Sequence, residues 1–206
     1  MAQRPLVRVL QLAVLPSLLV YVLALVLSGA AGIKTQLVIR DLAQHCDTPM
    51  GVGFLSNVGY LLWISAAAIA LFGAWSGVIA VRGRVKQLLV SGGLFSLVLC
   101  IDDMFLLHDR YVGATTLYVI YAAFAVMILL RFREQVMLLG GGVFLLAVVL
   151  LGGSVVIDQF QDLIKEVLGV RYATTQLFEE GSKFMGIATW LAFWWHATAS
   201  AGKLKA

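Results

Sequence analysis

The sequence predicts an all-α fold: a six-transmembrane-helix bundle with both termini in the cytoplasm and an amphipathic interfacial helix between the fifth and sixth spans. Three observations predict it. Of 206 residues, 61% are hydrophobic and only 13% are charged, whereas a soluble domain carries about 25% charged residues. The mean hydropathy is +0.95, a surplus of apolar side chains that only lipid can accommodate. Six apolar stretches each approach or exceed the ~20 residues a helix needs to cross the hydrocarbon core, and basic residues are unevenly divided between the segments that join them.

The first span runs roughly from Leu6 to Ser28, after Arg4 and Arg8. Its apolar core exceeds the roughly 7–15 residues of a signal peptide, so it reads as an uncleaved anchor, kinked at Pro16. The second, Phe54–Val81, opens with Ser56 and Asn57, either of which suits the cap of a first helical turn. It also carries Gly73 and Gly77 as a GxxxG face for close packing. The third and fourth spans are Gln87–Leu107 and Ala114–Phe132. The fifth, Val136–Ile157, contains the glycines Gly140–Gly142, Gly152 and Gly153. Backbone polar groups cannot stay unpaired in lipid, so each of these is a helix. Between Asp158 and Thr174, Phe160, Leu163, Ile164, Val167 and Leu168 recur at helical spacing with Asp162, Lys165 and Glu166 between them, the pattern of a helix lying along the interface. The sixth span is Thr175–Thr198. No repeat of fixed period is visible, and residues 1–206 read as a single integral membrane domain.

Charge sets the orientation. Nine basic residues (Arg4, Arg8, Arg82, Arg84, Lys86, Arg131, Arg133, Lys203 and Lys205) fall on one side and five (Lys34, Arg40, Arg110, Lys165 and Arg171) on the other. The positive-inside rule therefore puts both termini in the cytoplasm. The same bias accounts for the net charge of +4 without a nucleic-acid partner. Trp63, Trp75, Trp190, Trp194 and Trp195 include candidates for interfacial anchors. Cys46 sits in a loop beside His45 and Asp47, and Cys100 sits inside a span. Neither belongs to a CxxC pair. Among short catalytic motifs, Gly-x-Ser-x-Gly, the P-loop and His-Glu-x-x-His are absent.

Acidic residues concentrate on the outer side, where ten of the eleven lie, Glu134 being the exception. Carboxylates contribute little to topology, so another cause is required. One group, Cys100-Ile-Asp-Asp-Met-Phe-Leu-Leu-His-Asp-Arg110, ends the third span. Continued as a helix, it would set Asp102 about 9 Å below His108, with Asp102 and Asp109 on a shared face and His108 and Asp109 near water. The other group, Phe178-Glu-Glu-Gly-Ser-Lys-Phe184, opens the sixth span. There Lys183 stands at i+4 from Glu179 and i+3 from Glu180, within reach of either. Ionisable residues at this depth face a cavity or a partner. If the third and sixth helices adjoin, the two groups converge. Carboxylate oxygens with an imidazole nitrogen then suit a divalent metal such as Zn, Mn or Fe. Asp102, Asp103, His108, Asp109, Glu179 and Glu180 are the candidate ligands. Asp102, Asp103, Glu179 and Lys183 are the candidate catalytic groups.

The combination Ser56-Asn57-x-Gly59-x-x-x-Trp63, Asp102-Asp103-x-Phe105-x-x-His108-Asp109 and Glu179-Glu180-x-x-Lys183-x-x-Gly186 resembles small polytopic bacterial membrane proteins of unassigned function. That resemblance implies that the three polar groups act together and that the chain resides in the bacterial inner membrane. Trp194-Trp195-His196 is also similar to the end of the last-helix motif of the alkaline ceramidase/progestin-receptor superfamily, intramembrane metal hydrolases. Ala192 stands where that motif has its first histidine, and His196 lies at the opposite end of its helix from the acids. Three functions stay open: a metal-dependent membrane enzyme acting on a lipid or lipophilic substrate, a proton- or cation-coupled carrier or channel, and a non-catalytic accessory subunit. For transport, the inner half offers only Ser91, Ser96, Thr189 and His196 as polar groups.

Overall fold

A computed structural model describes residues 11, 14–39, 46, 48, 51–77, 81 and 83–201. Arg4, Arg8, Arg40, His45, Asp47, Arg82, Lys203 and Lys205 lie outside them. All regular structure among the described residues is helical. The chain divides into two units, residues 1–52 and 53–206.

In the first unit, α1 (Leu15–Ala30) is a short apolar helix, and α2 (Thr35–Ile39) packs on it. Pro16 stands in the first turn of α1, where a missing N–H leaves nothing unpaired. Any kink before it falls outside the described residues.

The second unit contains α3 (Phe54–Trp75), α4 (Gly83–Phe105), a short π-helix (His108–Val112), α5 (Ala114–Arg131), α6 (Arg133–Gln159), α7 (Gln161–Leu168) and α8 (Tyr172–Ala201). Helices α3, α4, α5 and α6 are long and apolar enough to cross a membrane. Helix α8 is the longest, at 30 residues, and carries Glu179, Glu180, Lys183 and His196. It packs chiefly against α6 and α3, and meets α4. Trp190, Phe193 and Trp194 on α8 are buried, so this helix exchanges lipid contact for protein contact.

Small residues make the crossings possible. A side chain at Gly92 on α4 would overlap the Trp194 ring, one at Gly186 would meet Leu151, and one at Gly73 would strike Thr198. Gly73 therefore acts as the GxxxG pattern implies, whereas Gly77 has nothing near it. The tryptophans divide. Trp75 and Trp195 are exposed, as interfacial anchors require, but Trp63, Trp190 and Trp194 are core residues. Gly140, at φ 129°, kinks α6. A carbonyl at that break, Leu139 O, is paired with His196 Nδ1 at 2.8 Å, which gives this histidine a structural partner.

The expected cap of the second span is absent. Gly53, at φ 69°, occupies the cap position with no side-chain cap bond. Its carbonyl accepts from Asn57 N at 2.9 Å, which leaves Ser56 and Asn57 inside the first turn. The segment after α6 does form a helix, α7, none of whose residues is buried.

Candidate functional site

Helix α4 does not run on to His108. It ends at Phe105, and Leu106 adopts φ 51°, a left-handed conformation that costs an L-residue about 1–2 kcal/mol. The break ends α4, and a new helical turn starts at once, with Arg110 N donating to Leu106 O at 3.0 Å. Asp102 then secures that turn: its Oδ1 accepts from the His108 backbone N–H at 2.9 Å, and its Oδ2 lies 2.9 Å from His108 Nδ1. Both residues are buried, at 3% and 6% exposure. The 9 Å separation and the face shared by Asp102 and Asp109 are therefore corrected, because both assumed an unbroken helix. His108 is buried rather than near water, while Asp109 is exposed. A carboxylate oxygen accepts, so Nδ1 is the ring nitrogen that donates to Asp102, and Nε2 is the one left to face outward. Nε2 stands 3.5 Å from Asp109 Oδ2.

Asp103, one residue on, takes its partners from α3 and α8 instead. Its Oδ1 pairs with Lys183 Nζ of α8 at 2.7 Å, and its Oδ2 accepts from Trp63 Nε1 of α3 at 2.9 Å. One carboxylate thus joins three helices. The local expectation that Lys183 pairs with Glu179 or Glu180 is corrected, since its ion pair crosses to α4. A lysine on a packed helix face finds the carboxylate opposite it, whatever the i+3 or i+4 spacing allows. The assumed juxtaposition of the third and sixth spans holds.

Both groups open on one cavity of about 400 Å³. Asp102, Asp103, His108, Asp109, Glu179, Glu180 and Lys183 all line it, as do Ser56, Gly59 and Trp63. The three polar segments of the sequence therefore share a wall. Among the described residues, potential ligand atoms of Asp102, Asp103 and His108 lie within 4.8 Å of one another. Glu179, Glu180 and Asp109 line the cavity without joining that group.

Helices α5 and α6 add residues that hydropathy alone does not flag. Tyr121 turns its hydroxyl toward Asp102, and Tyr118 turns toward Asp158. The Tyr118 ring lies 5.5 Å from the His108 ring. The signal was present as Tyr118 and Tyr121, three apart on the fourth span and so on one face. Apart from the buried Ser154, the rest of that wall is apolar, with Ala122, Ala125 and Val126 from α5 and Val148, Leu151 and Val155 from α6. The floor is aromatic. Trp190 packs edge-on against Trp63, Phe95 and Trp194, and its Nε1 donates to the buried Ser96 hydroxyl at 2.8 Å. Ser96 in turn donates to Gly92 O at 2.8 Å. His196 is not among the residues that line the cavity.

Such a cavity offers a fixed imidazole nitrogen, several carboxylates and one ammonium beside an apolar wall. Both cysteines are free, and neither lines it. No curated protein and no solved structure matches the chain. A family model described as a domain of unknown function (DUF8692) matches residues 12–197, and the chain belongs to that family.

Proposed function

We propose that this protein is a six-span enzyme of the bacterial inner membrane, with both termini cytoplasmic and α7 along the outer interface, that uses a divalent metal to act on a lipid or lipophilic substrate. The observation that carries the proposal is the buried Asp102–Asp103–His108 group on the wall of a cavity whose remaining surface is largely apolar. Buried ionisable groups within spans mark functional sites, and ligand pockets are mostly apolar with a few convergent polar groups.

The donor set suits Zn, Mn or Fe. Asp102 orients His108 through Nδ1, the outer-sphere arrangement that metal-binding histidines use. His108 Nε2 faces the Asp109 carboxylate at 3.5 Å, so these two groups would be available to hold a metal there. A bound metal would supply Lewis acidity and an activated water. Glu179 and Glu180 are assigned as acid/base groups or further ligands at the mouth, and Lys183 offsets the charge of Asp103.

The carrier reading needs a polar path beyond the cavity. Trp190 Nε1 takes up Ser96, one of the four polar side chains the inner half offers. The test is elemental analysis of the purified full-length protein, repeated for Asp102→Asn, His108→Ala and Glu180→Gln. Stoichiometric metal that falls at least about tenfold in occupancy in the first two variants is the expected result. Metal that is absent, or indifferent to both, overturns the metal assignment.

A further inference from the structure

The cavity is not closed on the lipid side. Val126 lines it and is also 52% exposed, and Ala122 and Gly152 likewise line it and are exposed. A Cβ built at Gly152 would meet nothing within 4 Å. Only 6% of the apolar window of α5 is buried, so this helix is held loosely against its neighbours. The cavity therefore opens sideways between α5 and α6, at the depth where acyl chains surround the protein. Toward the outer mouth its character changes. Asp102 is engaged by His108 and Asp103 by Lys183. Glu179 is within electrostatic reach of Asp158, Glu180, Lys183 and Asp109, and Lys183, already paired with Asp103, is among the described residues the one lysine or arginine on the lining.

We propose that the cavity binds a membrane-borne amphiphile with a cationic head. The head sits among Asp158, Glu179 and Glu180, beside the Tyr118 ring, and the alkyl chain leaves past Gly152 between α5 and α6. Charge complementarity selects the head, since several carboxylates at one low-dielectric mouth favour a positive ligand. A tyrosine face adds a cation–π contact. The side opening selects a chain, because a solute arriving from water has no need of an apolar exit into lipid. The inference rests on the reading of this cavity as a substrate site, and it is independent of the metal.

The test uses the full-length protein in detergent, photolabelled with a dodecylamine that carries a diazirine at the end of its chain. Mass spectrometry then locates the crosslinks. Labelling is expected on residues 122–126 and 148–155, in EDTA as well as without it. Dodecylamine should compete at least about tenfold better than dodecanoate. Glu179→Gln combined with Glu180→Gln should weaken the amine's competition about tenfold, and Gly152→Trp should remove the label on both segments. Ala122→Trp is the second block of the same opening, used if Gly152→Trp fails to fold. Equal competition by dodecanoate overturns the cationic head. Labelling that persists in a folded tryptophan variant overturns the side opening. Amine-selective labelling of a protein that holds no metal as purified, before any chelator is added, would sink the metal assignment alone, and bound metal without amine-selective labelling would sink this inference alone.

Discussion

Asp103 shows how one side chain can tie a bundle together, and its surroundings set what its partners are worth. Its side chain is 12% exposed, and both oxygens are occupied, by Lys183 and by Trp63. Removing the cation strands a buried carboxylate, which costs about 3–5 kcal/mol for a fully buried pair and less here, because Lys183 keeps 32% exposure. Lys183→Met should therefore lower the thermal transition markedly, and adding Asp103→Asn should recover part of the loss. A double variant less stable than Lys183→Met alone would contradict the pairing. Trp63→Phe keeps an aromatic ring but removes the donor and leaves the buried site underfilled, with an expected loss of at least about 1.5–3 kcal/mol, measured by thermal unfolding in one detergent. That Asp102, Asp103 and Lys183 need a cavity or a partner was legible in the sequence, because charge inside an apolar span is costly. Their partners were not. Helical spacing relates only residues on one helix, and the bond from Lys183 runs to another. His108 was misplaced for a related reason. The helix breaks at Leu106, which is neither glycine nor proline, so no local residue type announces the break.

At the scale of elements, the helices were legible as apolar stretches, with ends moved by several residues. Their roles were less so. Helix α8 is not among the four described helices apolar enough to cross a membrane, since tryptophan, histidine and charge dilute its hydropathy, yet it packs against α3, α4 and α6. Hydropathy measures how well a segment suits lipid, and a central helix meets little lipid. Glycines carry the corresponding packing information, but the sequence alone does not separate those at crossings from those in open space. The structure separates them and predicts a contrast. Gly92→Ala would drive a methyl group into the buried Trp194 ring, and overpacking of this kind costs about 1–3 kcal/mol. Gly142→Ala meets nothing within 4 Å and replaces a residue that weakens helices by about 1 kcal/mol, so it should be neutral or stabilising. Thermal unfolding of the two variants in the same detergent checks the order, and equal losses would mean that α4 and α8 do not cross at Gly92.

For the whole molecule, the decisive quantity is the side of the membrane to which the acidic cavity opens. The uneven division of basic residues assigns the cytoplasm to the ends of the chain and the outer face to the segments before α3 and between α6 and α8. The two cysteines give an intrinsic reporter that needs no substitution. Cys46 is exposed and falls in the segment assigned to the outer face, whereas Cys100 is buried in α4, its sulfur 3.7 Å from the Tyr60 carbonyl. In cells stripped of their outer layers, a membrane-impermeant maleimide should modify one thiol per chain, and peptide mapping should locate it at Cys46. Cys100 should react only after denaturation. If Cys46 is protected until the membrane is permeabilised, the orientation is inverted and the cavity faces the cytoplasm. The Asp102–His108 and Asp103–Lys183 geometry would survive that result unchanged, because it depends on helix packing and not on which solvent lies beyond the mouth. The source of the ligand would change instead, since the amphiphile would then be drawn from the inner leaflet.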